Sequence, residues 1–130
     1  MMKIKTHERV SAGLVGSPVE VVDGKMAVAR LETREEMAAD STGLVHGGFT
    51  FGLADYAAML AVNHPYVVLG SAQVKFTAPV RVGETMTAEA KVTSTEGKRS
   101  EVSVEVKVGD RRVFTGLFTC YALEKHVLDK

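Results

Sequence analysis

Two hydrophobic periods divide the chain. Between Val45 and Val62, apolar or small residues occupy every face of a helix that starts near Gly48 and ends before Asn63-His64-Pro65. A surface helix carries a polar stripe, and this one lacks it, so it is either wrapped by other structure or set in a membrane. Spanning a bilayer takes about 20 apolar residues; the run is shorter, and the pattern predicts a wrapped helix. Beyond the helix the period changes to two. Tyr66 to Thr77 is strand-like, and Pro79 ends or bends it. Met86, Ala88, Ala90 and Val92 alternate with Thr87, Glu89, Lys91 and Thr93, and Val102, Val104, Val106 and Val108 alternate with Ser103, Glu105 and Lys107. Such alternation marks strands with one buried face. Gly97-Lys98 and Gly109-Asp110 mark turns, and the last strand, Arg112 to Leu123, is apolar on both faces at Phe114, Leu117, Phe118 and Tyr121.

Before the helix, Val19 to Val22, Asp23-Gly24, then Lys25 to Leu31 reads as a hairpin, because Asp-Gly supplies the positive φ angles of a two-residue turn. Thr33 and Glu36 have the spacing of a capping box for a short helical turn. Ala39 to Gly43 is a loop. Residues 3–13 give no clear element; Ser11 suits the cap of a short turn, while Gly13 and Gly16 oppose a long helix. The order is α+β: two strands, the helix, then four strands in a meander. An antiparallel sheet of about six strands wrapped around one long central helix accounts for every periodic segment.

Composition narrows the function classes. A chain of 130 residues suits one domain, residues 1–130, that buries about two thirds of its unfolded surface. With 16 basic and 16 acidic residues there is no field to favour nucleic acid or an anionic membrane, and neither partner is expected. The single Cys120 excludes an intramolecular disulfide and fits a reducing cytoplasm. Residues 1–8 hold no apolar run of the signal-peptide kind. His7, His64 and His126 show no metal-ligand spacing with one another or with Cys120, so no metal is expected.

Asp55 changes the picture most. It is the one ionisable residue in the apolar helix, and no Lys or Arg occurs from Glu35 to Val74. An unpaired buried carboxylate costs several kcal/mol or stays protonated. Either it serves a function, or it is a structural carboxylate bonded to backbone amides or hydroxyls. Gly47 and Gly48 stand where the loop becomes helix. The first helical amides lack internal acceptors and carry the positive end of the macrodipole, so glycines there admit a ligand oxygen and can stabilise an oxyanion; a plain tight turn is the alternative. Asp55 lies seven residues beyond Gly48, about 10 Å along the axis. It cannot serve a carbonyl held at its own helix's N-terminus. A second, antiparallel helix from a two-fold-related subunit would bring its Asp55 there, so joint action of the two groups predicts a dimer with two composite sites.

The stretch Asp40-x-x-Gly43-x-x-His46-Gly47-Gly48-x4-Leu53-Ala54-Asp55-x-Ala57 resembles the central motif of the hotdog-fold acyl-CoA thioesterases of the PaaI type. The Phe76-x-x-Pro79-x-x-x-Gly83-Glu84 step and the order of elements extend the likeness over nearly the whole chain. The resemblance implies hydrolysis of a small or medium acyl-CoA thioester without a cofactor, by a homo-oligomer that is a dimer or a dimer of dimers. It implies that the Gly47 amide binds the thioester oxygen and that Asp55 of the partner subunit is nucleophile or general base. The family usually has asparagine where this chain has Asp40, which can accept but, when ionised, not donate; it either alters turnover or caps the loop. His46 fits a structural role, fixing the glycine turn, or a role on the thioester if its ring faces the cleft. Gly48 and Phe49 are expected beside the substrate, with Phe51, Tyr56 and Met59 either lining an acyl tunnel or filling the core. Ser71 and Gln73, with Lys75, share the polar face of their strand and are expected in the pocket or at the dimer interface. Arg81, Lys98 and Arg99 are either contacts for the coenzyme A phosphates or solvated turn charges. A non-catalytic acyl-CoA sensor is the rival; a hotdog hydratase is disfavoured because an Asp-x-Asn-Pro-x-His motif is absent.

Overall fold

The computed structural model describes residues 2–129. Its strands are β1 (Ser17–Val22), β2 (Met26–Glu32), β3 (Val67–Phe76), β4 (Thr85–Glu96), β5 (Arg99–Val108) and β6 (Arg111–Ala122); its helices are α1 (Ala12–Val15) and α2 (Gly47–Val62), with a 3-10 turn at Glu35–Met37. The strands form one antiparallel six-stranded sheet in the order β1-β2-β4-β5-β6-β3. The sheet curls around α2, as the α+β reading expects. Alanines on both partners make this possible: Ala54, Ala57, Ala58 and Ala61 of α2 are fully buried, as are Ala27, Ala29, Ala88 and Ala90 of β2 and β4. Small side chains on both surfaces let a helix and a sheet approach closely at native packing density. Larger side chains, Phe114 and Phe118 of β6 with Leu53, Leu60 and Met59 of α2, fill the rest of the core.

Both ends of α2 are fixed by polar side chains. At the start, His46 is the N-cap, and its Nδ1 accepts the Gly48 N–H at 2.8 Å. At the end, Asn63 takes the left-handed conformation, φ 51°, which asparagine tolerates better than most residues. Its buried amide accepts the Lys5 N–H at 2.9 Å and donates to Lys3 O at 2.9 Å and to Asp23 Oδ1 at 2.7 Å. One side chain thus ties the N-terminal segment and the β1–β2 turn to the helix end.

Three local expectations are corrected. Only β4, β5 and β6 form a meander; β3 crosses to the far side of β6, so that β2 and β4 become neighbours. The β1–β2 connection has three residues, Asp23 to Lys25, closed by Lys25 N–H to Val22 O at 2.9 Å, and only Gly24 has a positive φ. The Thr33–Glu36 capping box does not form. Arg34 precedes the 3-10 turn, and the Thr33 hydroxyl lies 2.6 Å from Glu84 O and 3.0 Å from the Gly83 N–H, bridging to the loop before β4. Ser11 does precede α1, but its side chain makes no capping hydrogen bond.

The wrapping of α2 is incomplete. Gly48, Phe51, Gly52 and Asp55 are only half-buried or exposed, and they fall on one stripe of the helix because residues three, four and seven apart share a face. The stripe runs beside β3, an unpaired sheet edge.

Candidate functional site

Two separate clefts lie against α2, one toward each end of β3. The first, about 380 Å³, is lined by Val45, Gly47, Thr50, Phe76, Pro79 and Val80. The second, about 390 Å³, is lined by Thr6, His7, Asp55, Tyr66, Leu69 and His126 among others. Gly47 therefore faces the last residue of β3, and Asp55 faces its first residues. Helix and strand run in opposite directions, with the two groups eight residues, or about 12 Å, apart on α2.

The first cleft is built around a free backbone donor. The Gly48 N–H is taken by His46 Nδ1, and the Phe49 N–H by His46 O at 3.1 Å, but the Gly47 N–H has no acceptor among the described residues. A Cβ on Gly47 would stand 3.1 Å from the ring of Phe76, so glycine lets that exposed aromatic lie over the helix start. His46 thus fixes the turn, leaving one donor aimed at the first cleft. Asp40 organises the preceding loop. Its Oδ1 accepts from the Thr42 N–H at 3.0 Å, the Thr42 hydroxyl at 2.7 Å and the Leu44 N–H at 3.3 Å, and these bonds hold its carboxyl below the ordinary carboxylate range.

The second cleft is built around an unsatisfied acceptor. Asp55 Oδ1 is buried with no hydrogen-bond partner among the described residues, and burial pushes its carboxyl above the usual range. A base with a raised pKa is better matched to proton transfer near neutral pH than an ordinary aspartate. Its neighbour Cys120 is a core thiol, pushed up to about 12 by burial first and by the Asp55 and Glu101 charges after it.

The remaining expected site residues separate. Tyr56 and Met59 are core; Phe51 packs against Phe118 at 5.6 Å between ring centroids, and Phe49 meets the His46 ring edge-on at 6.4 Å. Ser71 and Gln73 are exposed on β3, alternating with Ala72 and Val74, which pack against the core, and they line neither cleft of the single chain. Arg81 lines a broader cleft of about 520 Å³ with Thr42, Leu44, Pro79 and Arg111, adjoining the Gly47 cleft at Pro79. Arg111 is held there by Glu84 Oε1 at 3.0 Å and Pro79 O at 3.1 Å. Lys98 and Arg99 sit at the β4–β5 turn, paired loosely with Glu124, Glu96 and Glu101. Phe76, His7 and Arg111 were not identifiable as site residues from sequence. The alternation of β3 places Phe76 on a face but does not show that the face meets Gly47, and no local signal marks the other two.

Among the described residues no helix is long and apolar enough to cross a membrane. Residues 42–115 match the family model described as the thioesterase superfamily. The chain is 48% identical over 124 residues to a methylthioribose-1-phosphate isomerase of Aquifex aeolicus, covering 95% of this chain and 27% of that protein. It is 32% identical over 128 residues to the transcription factor FapR of Caldanaerobacter subterraneus, covering 98% of this chain and 63% of that protein. It therefore spans less than two thirds of either relative. Among solved structures, the uncharacterized protein PH1136 of Pyrococcus horikoshii superposes with a TM-score of 0.96 at 54% identity, over 98% of both chains. A point mutant of the phenylacetic acid degradation protein PaaI of Thermus thermophilus gives 0.77 at 28% identity, over 85% of this chain and 95% of that one. With its helix-wrapping sheet, its glycine-started helix and these likenesses, the chain belongs to the thioesterase superfamily, as a hotdog-fold protein of the PaaI type.

Proposed function

We propose that the protein hydrolyses acyl-CoA thioesters at sites shared between two subunits. The observation that carries the reading is the pairing of deficits: a Gly47 N–H without an acceptor among the described residues in one cleft and an unsatisfied Asp55 Oδ1 in the other, at opposite ends of the same edge strand. If β3 pairs with β3 of a second copy about a two-fold axis, the strands run antiparallel, and the Gly47 end of each meets the Asp55 end of the other. Each unpartnered donor then shares a cavity with an unpartnered acceptor.

In such a site the Gly47 N–H donates to the thioester carbonyl oxygen. Asp55 of the partner subunit takes a proton from water, the resulting hydroxide adds to the carbonyl carbon, and the oxyanion is held by the Gly47 amide. Collapse breaks the C–S bond, and the thiolate takes the proton from Asp55. In the alternative sequence the carboxylate itself attacks and expels the thiolate, and water then adds to the aspartyl carbonyl of the acyl-aspartate; single turnover in ¹⁸O-water labels Asp55 only in that sequence. One oxyanion donor supplies about 3 kcal/mol. Arg81 and Arg111, beside the Gly47 cleft, suit the phosphates of coenzyme A. Ser71 and Gln73 reach the substrate only if a further copy brings its surface to them.

A non-catalytic acyl-CoA-binding protein is the second reading, favoured by the likeness to proteins named transcription factor FapR. Free thiol release from a panel of aromatic and aliphatic acyl-CoA esters, comparing the native protein with Asp55→Ala, decides between them. Hydrolysis is expected to fall by about a hundredfold or more in the variant, with the oligomer intact. Equal rates would make Asp55 structural. No turnover of any ester, with acyl-CoA still raising the melting temperature, would favour the binding protein.

A further inference from the structure

Asp55 shares its cleft with an unusual histidine. His7 adopts φ 53°, and the only other non-glycine residue with a positive φ among the described residues is Asn63. Such a conformation costs about 1–3 kcal/mol and persists where the surroundings enforce it. Here they do. Asn63 grips Lys3 O and the Lys5 N–H, Thr6 is 4% exposed, and the His7 ring leans on Tyr56, the residue after Asp55, with 6.5 Å between centroids. The segment is thereby held in place as a wall of the Asp55 cleft.

The ring itself is oriented. Thr6 Oγ1 lies 2.7 Å from His7 Nδ1, and neither the hydroxyl nor Nε2 has another partner among the described residues. With the Thr6 hydroxyl donating to Nδ1, Nε2 carries the hydrogen. Burial lowers the pKa of the imidazole, so this donor is uncharged at neutral pH. Other polar groups are worse placed for the same task. Asp40 Oδ1 is occupied by its own loop, Tyr66 is 39% exposed, and His126 is exposed with Nδ1 accepting the Leu128 N–H at 3.0 Å.

We infer that His7 is a positioning residue whose Nε2–H holds the attacking water against Asp55 of the same chain. The inference rests on the hydrolytic reading above. The water donates one hydrogen to the Asp55 carboxylate, accepts one from His7, and keeps a lone pair for the thioester carbon; the proton passes to Asp55, and His7 stays neutral throughout.

The test is His7→Gly, which suits the positive φ and so keeps the fold. We expect its melting temperature to be unchanged or higher, kcat to fall about tenfold with KM unchanged, and added imidazole to restore part of the loss. His7→Gln, which keeps an amide donor, should retain more activity than the glycine variant. In ¹⁵N NMR the native His7 should show the Nε2–H tautomer, with an Nε2 resonance that moves in Asp55→Asn. A glycine variant with native kcat would overturn the inference while leaving hydrolysis itself standing, since Asp55→Ala would still be inactive. An Nε2 resonance indifferent to Asp55→Asn would overturn it even if no ester were turned over.

Discussion

Asp55→Asn exchanges a carboxylate for an amide of the same shape at a place where the native oxygen is buried and unpartnered. An unsatisfied buried polar group costs about 1–3 kcal/mol, more when charged. The amide is still imperfectly satisfied, so the substitution relieves only the charge-dependent part, about 1 kcal/mol. For a chain of this size that corresponds to a rise in Tm of about 3–5 °C. The sign of the pH dependence follows from the direction of the shift. Burial raises the folded carboxyl above its unfolded value, so the folded state holds the proton more tightly. Below the unfolded pKa both states are protonated and the penalty is absent; it grows as pH rises through the folded pKa and is complete above it. The variant is therefore expected to melt with the native protein near pH 3 and above it near pH 8, at equal protein concentration. Thermal unfolding by calorimetry or circular dichroism across that range measures it. A variant that melts below the native protein at pH 8 would refute the reasoning, because the carboxylate would then have donors whose bonds outweigh its desolvation.

Two further outcomes test the scaffold. Asn63→Ala removes three hydrogen bonds and places a Cβ residue with no compensating side chain at φ 51°, and should cost about 3 kcal/mol; the urea midpoint should fall with the slope unchanged, and Asn63→Gly should lose less. Asp40→Asn keeps an Oδ1 acceptor for the loop, so turnover should hold, while the charge-assisted part of the neutral-pH stability is lost. The lowered Asp40 carboxyl contributes stability that is present above its unfolded pKa and lost as pH falls through its folded one, so the variant should show a flatter acid limb in unfolding followed by circular dichroism.

The central helix is legible in the sequence because an all-round apolar surface has few physical homes, and the strands because period two survives in Met86–Val92 and Val102–Val108. Asp55 is legible for a related reason: no cation stands near it in the chain. What period two cannot carry is adjacency. Val67 and Leu69 come to the same side of β3 as Ala72 and Val74 only through a register shift between Leu69 and Ser71, and the strand's place beyond β6 is decided by the fit of whole layers. Thr33 has the spacing of a local cap, yet its hydroxyl answers to Glu84 and Gly83, fifty residues on. His7, Phe76 and Arg111 are equally silent, since each acquires its setting from a distant segment. The three-residue β1–β2 turn shows the same limit on a small scale, because the register of β1 and β2 sets its length.

The distance between Gly47 and Asp55 along one helix also has a genetic meaning. If each site takes one group from each chain, then the working unit is a pair, and a chain with a damaged Asp55 still lends a sound Gly47 to its neighbour. A defect at Asp55 would then scale with gene dose rather than poison the intact chains. Two inactive proteins, one damaged at each position, would restore activity to one another in mixed pairs, and random assortment would return roughly a quarter of the native sites.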